Sequence, residues 1–565
     1  MESQAPAGRA RSSRPPRSFA VALALGLLLA VVAPVTAAPA AAGAPEVDWT
    51  ACGPQLECAS VPVPLDWSEP DGPRIALSVI RRLASRPDQR IGSLFVNPGG
   101  PGDSGVGYVA ERGEALDALT SGRFDIVGWD IRGGAGASAP VTCFADATER
   151  ASFWEGLPVP STRAEERRYL AKTIELARRC GERNGELLAH ISTADTARDL
   201  DHLRRLVGDR RLTYFGESFG TLIGQTYANL FPRRVRAMAL DGVVDPVASA
   251  AGAEAVLANG LADSDRVFRE FLRLCQAAGP DRCALAGHGP VAPRVNSLLR
   301  QLRHAPIPAP SATPPGELTY GEALTALRFE VLPKPEQWPL AAVLLEQAIQ
   351  GDGSAIETVA AGATSDQVRM LLQEQGVALV CADSPARHPA RAWPRVVDRL
   401  EAVSRVAGPV VGWINAPCAS WPIASADRYT GPWNAATRHP VLVIGTRFDP
   451  QTPFGNARRA AQRLGNAALL VHDGYGHLSR RDPSTCVLRA TGSYLVDLST
   501  QPTGRSAHLT ASPSTPSSAN RFPEPVRAGI LAKLGLRDRT QAAVFAYETG
   551  LVRPGERMTD GAAMA

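Results

Sequence analysis

One segment of this 565-residue chain indicates its fold most clearly: Leu212-Thr-Tyr-Phe-Gly216-Glu217-Ser218-Phe219-Gly220-Thr221. An apolar run enters a Gly-x-Ser-x-Gly turn and continues into a helical pattern over residues 222–230. Such a sharp turn leaves no room for Cβ atoms two residues to either side of Ser218, and its strained backbone lifts the serine hydroxyl into the open. The pattern predicts a nucleophilic serine between a strand and a helix. The alternative is a glycine-rich turn with a bystander serine.

Similar apolar runs lie on both sides of this segment and are bounded by Gly, Pro or Asp: 93–97, 124–130, 212–215, 235–241, 441–446 and 468–472. Their continuous apolar character is typical of strands buried on both faces. Helical patterns separate them, as in residues 194–207 behind Thr193, the expected helix cap. We therefore predict an α/β fold with a mostly parallel central sheet.

The spacing of these runs breaks once, because about two hundred residues separate positions 241 and 441. This segment reads as helices with proline-rich joints, the clearest at 306–315. The spacing predicts a large helical cap inserted before the last two core strands.

A nucleophilic serine needs a base, and the base needs an acid to orient it. His477 follows the strand at 468–472 in a Gly-Tyr-Gly-His loop, where the ligand crevice of such a sheet lies. His472, at the end of that strand, is the alternative base. Asp449 follows the preceding strand at the same edge, and its alternative role is a cap before Pro450. The order Ser218, Asp449, His477 is that of the α/β-hydrolase fold.

The acyl-transfer chemistry of such a triad also needs an oxyanion hole built from backbone N–H groups. Phe219 supplies one amide, and Gly100 in the Asn-Pro-Gly-Gly-Pro-Gly loop at 97–102 is the predicted second donor. This loop does not fit a phosphate site, because no Gly-Lys-Ser/Thr follows it. We expect no cofactor. We expect no metal either, because the closely spaced Cys and His pairs of a zinc site are absent from the sequence.

The N-terminus predicts export. Four arginines precede an apolar run at 19–33 and a stretch of small residues, which together describe a signal peptide of about residues 1–42. Cleavage after Ala37, Ala40 or Ala42 would satisfy the small-residue rule. The alternative is an uncleaved membrane anchor, but the run is shorter than the roughly 20 residues that span a bilayer. We expect a secreted protein with no stable membrane insertion after cleavage.

The composition is that of a globular protein, with 44% hydrophobic and 21% charged residues. A net charge of +4 excludes a strongly basic nucleic-acid binder, and we expect a monomer. Export makes disulfides plausible among the nine cysteines, although the sequence leaves their connectivity open. The candidate pairs are Cys52 with Cys58, Cys143 with Cys180, Cys275 with Cys283, and Cys381 with Cys418, which leaves Cys486 over.

At these residues the chain resembles the secreted tripeptidyl-aminopeptidase and proline-iminopeptidase-like serine hydrolases of actinomycetes, which carry a TAP-like C-terminal region. The resemblance spans residues 49–496 and rests on the motifs at 97–105, 124–133, 216–220, 240–246, 449–453 and 476–477. It implies an α/β-hydrolase core, a helical cap and release of short N-terminal peptides. Two departures stand out. The turn at 132–138 carries one extra residue, and the partner that relatives provide for Cys486 is missing.

The predicted organisation follows from these patterns. We expect a signal peptide at 1–42, a first core part at 43–245, the cap at 246–438 and a TAP-like core part at 439–498. Residues 499–565 read as a divergent tail, with a Ser/Thr/Pro linker at 500–520 and a helix at about 524–534.

The triad chemistry cleaves amides and esters alike, so substrate recognition must distinguish them. An aminopeptidase binds a free α-ammonium group, which needs a carboxylate partner once it is desolvated. Glu217, Asp103 and Glu254 are the candidates. The leading hypothesis is an aminopeptidase that acts on peptides with a free N-terminus. The alternatives are a carboxylesterase acting on small or acyl esters and a non-catalytic binding protein that kept the fold.

Overall fold

The structure is a computed structural model that describes residues 47–155, 157–313, 315–363, 374–425, 427–500 and 509–510. The predicted signal peptide and the predicted helix at 524–534 lie outside these described residues. Most of the predicted linker at 500–520 does too.

A ten-stranded sheet forms the centre of the molecule, in the order β1-β2-β3-β5-β4-β6-β7-β10-β11-β12. The strands from β5 to β12 pair in parallel, and β1, β2 and β3 add antiparallel strands at one edge. The six strands predicted from sequence form its contiguous middle. The bounds are β1 Thr50–Gly53, β2 Leu56–Pro64, β3 Arg74–Arg82, β4 Gly92–Asn97, β5 Phe124–Trp129, β6 Leu212–Glu217, β7 Val235–Asp241, β10 Val441–Phe448, β11 Ala467–Tyr475 and β12 Leu509–Thr510.

Both faces of the central strands are covered, as their apolar runs predict. Phe95 of β4 and Tyr214 of β6 are register partners in the core on one face of the sheet. Their neighbours Leu94 and Phe215 belong to the core on the other face. Successive side chains of a strand alternate between the two faces, so a strand buried on both sides must be apolar throughout.

Helices cover both faces of the sheet and build the insertion between β7 and β10. The prediction of an α/β fold with a large helical cap is therefore confirmed. The bounds are α1 Gly105–Leu119, α2 Ala147–Trp154, α3 Arg163–Asn184, α4 Thr193–Leu206, α5 Phe219–Leu230, α6 Pro246–Ala251, α7 Ala253–Ala258, α8 Leu261–Ala278, α9 Val291–His304, α10 Tyr320–Ala326, α11 Trp338–Ile349, α12 Ser354–Ala363, α13 Glu374–Asp383, α14 Trp393–Val403, α15 Gly408–Ile414, α16 Phe454–Arg463 and α17 Thr485–Asp497.

Three local features differ from the sequence prediction. The cap of α4 is Ser192 and not Thr193: Ser192 has an extended backbone and accepts the Asp195 amide, while the Thr193 amide donates to Asp383. The antiparallel strands β1–β3 were not predicted, because the exposed and half-buried residues in them break up the apolar runs. Within the predicted linker, β12 pairs in parallel with β11.

One hydrophobic core is built almost entirely by the insertion, and Tyr475 of β11 joins it. Phe271, Leu324 and Trp338 are among its buried side chains. A two-stranded hairpin, β8 Ile307–Ala309 and β9 Gly316–Leu318, packs within it. A π-helical turn at Leu327–Val331 follows α10.

Helix α13 of the insertion is held to the core by buried carboxylates at its two ends. Glu374 is fully buried and pairs with Arg150 at 2.6 Å. Asp383 accepts the amide of Thr193 at 3.0 Å. Because Glu374 is fully buried, separating it from Arg150 would leave a buried charge without this partner, which is strongly destabilising. The insertion is therefore fastened to the core at both ends of this helix.

The four predicted cysteine pairs all form disulfides: Cys52–Cys58, Cys143–Cys180, Cys275–Cys283 and Cys381–Cys418. Cys486 is an exposed free thiol. Among the described residues, no helix is both long and apolar enough to cross a bilayer.

Candidate active site

Ser218 lies at the sharp turn between β6 and α5, with a φ of 51° and a ψ of −122°. A side chain rarely adopts this left-handed conformation, so the surrounding packing must enforce it. A Cβ atom on Gly216 would lie 2.6 Å from the Gly220 oxygen, and one on Gly220 would lie 2.6 Å from the Asn97 oxygen. The Ser218 amide donates to the Asp241 carbonyl at 2.9 Å, which ties the turn to β7. These contacts confirm the prediction that a Cβ atom would not fit at Gly216 or Gly220.

His477 and Asp449 meet beyond the ends of β11 and β10. The His477 Nδ1 atom lies 3.0 Å from Asp449 Oδ2 and 3.2 Å from Oδ1. Asp449 is fully buried, and three donors hold its carboxylate: the Gln451 amide at 2.7 Å, the Thr452 amide at 2.9 Å and the Thr452 hydroxyl at 2.8 Å. A carboxylate fixed in this way accepts a hydrogen bond from Nδ1 and leaves Nε2 as the basic nitrogen of the ring.

Thr452 was not predicted. Its hydroxyl also lies 3.2 Å from His477 Nδ1, so it contacts both members of the pair. The Asp-Pro-x-Thr spacing at 449–452 was the available signal, since a hydroxyl three residues after an aspartate readily folds back onto its carboxylate.

The alternative base, His472, has a different environment. It is buried, and its Nδ1 lies 3.1 Å from the Thr446 hydroxyl. Burial, the largest cause, lowers its pKa. His472 does not line the cleft that contains Ser218, whereas His477 does.

The cleft has a volume of about 300 Å³, and Ser218, His477, Gly100 and Asp103 are part of its wall. The cap contributes Phe329 and Pro333 to the same cleft. The Pro333 carbonyl accepts the His477 amide at 3.0 Å, so the cap also positions the histidine loop. Within the described residues, the Ser218 hydroxyl makes no hydrogen bond to His477. Such bonds are often long in the free enzyme and tighten when substrate binds.

The predicted oxyanion loop contacts the serine turn through Gly99, which was not predicted. A Cβ atom on Gly99 would lie 2.6 Å from the Glu217 oxygen, 2.8 Å from Ser218 Cβ and 2.9 Å from the Phe219 nitrogen. The role predicted for the Gly100 amide, donation to an oxyanion, stays a prediction. In the described part of the chain, the amides of Gly100 and Phe219 donate to no protein acceptor.

Two of the three carboxylates considered for ammonium binding are engaged elsewhere. Glu217 is buried and pairs with Arg480, whose Nε lies 3.1 Å from each carboxylate oxygen. Glu217 is also the largest cause of the raised pKa of Arg480. Glu254 accepts the amides of Arg387 and His388 in a loop of the insertion and does not line the cleft.

Asp103 is the remaining carboxylate, and it lines the cleft beside Ser218. Its Oδ1 atom is buried and has no hydrogen-bond partner among the described residues. Burial raises the pKa of Asp103 to about 6, against the smaller opposing effects of Arg480 and His477. Asp103 is therefore the candidate carboxylate that lines the cleft and has no ion-pair partner among the described residues.

The parallel sheet, the serine turn and the buried His–Asp pair define the class of protein: a serine hydrolase of α/β-hydrolase fold. Comparison with known families agrees. The family described as "alpha/beta hydrolase fold" matches residues 92–279, and the family described as "TAP-like protein" matches residues 404–507.

Curated relatives narrow the class further. The chain is 32% identical over 471 residues to a tripeptidyl aminopeptidase of Streptomyces lividans, covering 80% of this chain and 84% of that protein. It is 31% identical to the serine protease Hip1 of Mycobacterium tuberculosis, and the match covers 81% of this chain and 90% of that protein. It is also 31% identical to a carboxylesterase B of Mycobacterium tuberculosis, and the match covers 81% of this chain and 89% of that protein. The chain belongs to the tripeptidyl-aminopeptidase-like family of serine peptidases.

Proposed function

We propose that this protein is an exopeptidase that releases di- or tripeptides from peptides with a free N-terminus. One observation carries the proposal: the cleft that contains Ser218 and His477 also contains Asp103, a carboxylate without an ion-pair partner among the described residues. The tripeptidyl aminopeptidase among the relatives supports the length of the released fragment.

The first chemical step is attack of the Ser218 oxygen on the scissile carbonyl. His477 Nε2 takes the serine proton as the oxygen attacks, and Asp449 stabilises the resulting imidazolium through its contact with Nδ1. The amides of Gly100 and Phe219 are the proposed donors to the oxyanion of the tetrahedral intermediate.

The intermediate collapses by breaking the C–N bond. His477 gives its proton to the leaving amine, and the N-terminal fragment stays esterified to Ser218. Water then attacks the ester with His477 as base, and the released fragment leaves as a carboxylic acid. Each peptide bond cleaved consumes one water molecule, and the reaction requires no cofactor.

Asp103 is the proposed partner of the substrate α-ammonium. Its pKa of about 6 leaves the carboxylate ionised at neutral pH, where it can accept charge-assisted hydrogen bonds from an ammonium group. A cleft of about 300 Å³ beneath the insertion admits the end of a chain and excludes a folded protein. The small volume of the cleft also favours the release of short N-terminal fragments.

The test is a panel of mono-, di- and tripeptide anilides, each with a free and an N-acetylated terminus, with products identified by mass spectrometry. We expect turnover of the free di- or tripeptide anilides and a large loss on acetylation. Ser218→Ala is the matched control and should lose about 10⁶ in kcat while the far-ultraviolet circular dichroism is unchanged. Equal rates on free and acetylated substrates would contradict the proposal.

A second candidate function is that of a carboxylesterase, which the carboxylesterase B relative at 31% identity supports. The same triad hydrolyses esters, and an ester substrate needs no ammonium site. Strong hydrolysis of p-nitrophenyl esters without cleavage of any free peptide anilide would favour this function over the first.

Export and domain organisation complete the proposal. The basic and apolar N-terminus and the four disulfides support export with a signal peptide at 1–42, and the proposed oligomeric state is a monomer. The proposed divisions are a first core part at 43–245, a cap at 246–438, a TAP-like core part at 439–498 and a divergent tail at 499–565. N-terminal sequencing of the mature protein tests the cleavage site, and size-exclusion chromatography with light scattering tests the monomer.

A further inference from the structure

The insertion contains a second concave site, a groove of about 990 Å³ between α8 and α9. Among the described residues, none lines both this groove and the cleft with Ser218. The triad chemistry therefore does not account for the groove, although it is about three times larger than the cleft.

The floor of the groove is apolar. It consists of side chains that pack into or against the core of the insertion, with one face toward the groove: Phe268, Leu272, Leu299, Tyr320 and Val406. Such a floor offers no hydrogen-bond partners to the backbone N–H and C=O groups of an extended peptide, and leaving those groups unpaired is costly. The floor instead favours a hydrocarbon chain.

The rim of the groove is strongly basic. Five arginines line the groove against one acid, Asp265, whereas the whole chain has 60 basic and 56 acidic residues. Asp265 is itself engaged, because its Oδ1 accepts the Ser404 hydroxyl at 2.5 Å. The arginines are Arg269, Arg273, Arg300, Arg303 and Arg405.

Two of these arginines have acidic partners and three do not. Arg273 pairs with Glu270 at 2.7 Å, and Arg303 pairs with Glu401 at 2.5 Å. For Arg269, Arg300 and Arg405, no carboxylate of the described residues lies within ion-pair distance. Three guanidinium groups without a counterion beside an apolar floor are complementary to an anion with an apolar body.

We propose that this groove binds a free long-chain fatty acid, with its single acyl chain along the apolar floor and its carboxylate at the arginine rim. The planar guanidinium group matches a carboxylate in a two-point contact. The groove volume lies within the range of about 300–1,000 Å³ that small-molecule sites occupy. This inference is independent of the peptidase activity, since the two sites share no residue.

Chain length and head-group charge are the first test. Titration calorimetry of the mature protein with octanoate, decanoate and dodecanoate, each below its micelle concentration, should give one site outside the cleft. We expect affinity to rise about tenfold for each two methylenes added. Dodecanol, which lacks the charge, should bind at least about tenfold more weakly than dodecanoate.

A charge reversal in the groove tests the location. Arg269→Glu with Arg300→Glu should weaken dodecanoate binding at least about tenfold and leave turnover of peptide anilides unchanged. The matched control is Arg395→Glu with Arg399→Glu, which changes two exposed arginines of α14 that do not line the groove. The control pair should bind dodecanoate like the native protein.

A steric variant covers the case in which charge reversal disturbs the fold. Ala292 is an exposed residue on the wall of the groove, and Ala292→Trp should place an indole ring in the groove and weaken binding. The proposal is overturned if dodecanoate does not bind, if dodecanol binds equally well, or if both double variants weaken binding equally. It is also overturned if dodecanoate competes with peptide anilide, or if only vesicles of anionic phospholipid bind.

Discussion

The two sides of the catalytic cleft are built in different ways. On the sheet side, Ser218, Asp449 and His477 each follow the end of a parallel strand, and short turns with many hydrogen bonds fix them. On the cap side, Phe329 lies in a π-helical turn, and Pro333 lies just after it. This turn packs in the hydrophobic core that the insertion builds. Strand ends therefore position the catalytic residues, whereas packing within the insertion shapes the cleft above them.

The largest effect should come from breaking the sheet side at its buried acid. Asp449→Asn should lower kcat about 10⁴-fold, because an amide facing Nδ1 favours the wrong histidine tautomer. The measurement is kcat on a peptide anilide with intact circular dichroism. The control, Asp473→Asn, changes a half-exposed aspartate of β11 that pairs with Arg447 on the surface. A comparable loss in both variants would contradict the assigned role of Asp449.

A smaller effect should come from the contact between the oxyanion loop and the serine turn. Gly99→Ala places a Cβ atom 2.6 Å from the Glu217 oxygen and should displace the loop, which costs about 10²-fold in kcat. Gly351 has the same φ of +101° but nothing within 4 Å of its Cβ position. Gly351→Ala should therefore lose only about 1 kcal/mol of stability from backbone strain and keep full activity.

Equal kcat values for these two alanine variants would show that the close approach at Gly99 is not needed for catalysis. Thermal unfolding of both proteins separates strain from the steric contact, because both share the strain and only Gly99→Ala adds the contact.

The smallest effect should concern substrate recognition. Asp103→Asn should lower kcat/KM about ten- to a hundredfold on substrates with a free N-terminus, because it removes a charged partner, and should not affect ester substrates without an amine. For the native protein, KM for free-amine substrates should rise as pH falls through about 6, where the Asp103 carboxylate becomes protonated. This rise should be absent in Asp103→Asn.

The exposed acid Glu111 supplies the control, since it lines the same cleft. Glu111→Gln should change kcat/KM little. If Glu111→Gln and not Asp103→Asn removes the preference for a free N-terminus, the ammonium site lies at Glu111.

Much of the sheet side could be predicted because its signals are local. The six central strands are short apolar runs, and the serine turn is a pattern of five residues. The His–Asp pair follows from the rule that the ends of parallel strands meet at one edge. Gly99 was missed because its contact depends on how two turns fold against each other, whereas the contact of Thr452 with Asp449 lies within one turn and the Asp-Pro-x-Thr spacing could have indicated it.

The cap side could not be predicted in the same way. That Phe329 and Pro333 reach the cleft of Ser218 depends on contacts between segments far apart in sequence, and no local pattern indicates them. The groove between α8 and α9 likewise depends on how two amphipathic helices pack, which leaves arginines distant in sequence along one rim. Helical periodicity predicts that such helices bury one face and says nothing of their partners.

The attachment of α13 to the core has a consequence for how substrates reach Ser218. Glu374 and Asp383 fasten this helix at both ends, and the Cys381–Cys418 disulfide links it covalently to the segment after α15. Displacing α13 would break both contacts and leave Glu374 and Asp383 buried without these partners, which opposes movement of the helix. We therefore expect substrates to enter the cleft without displacement of α13.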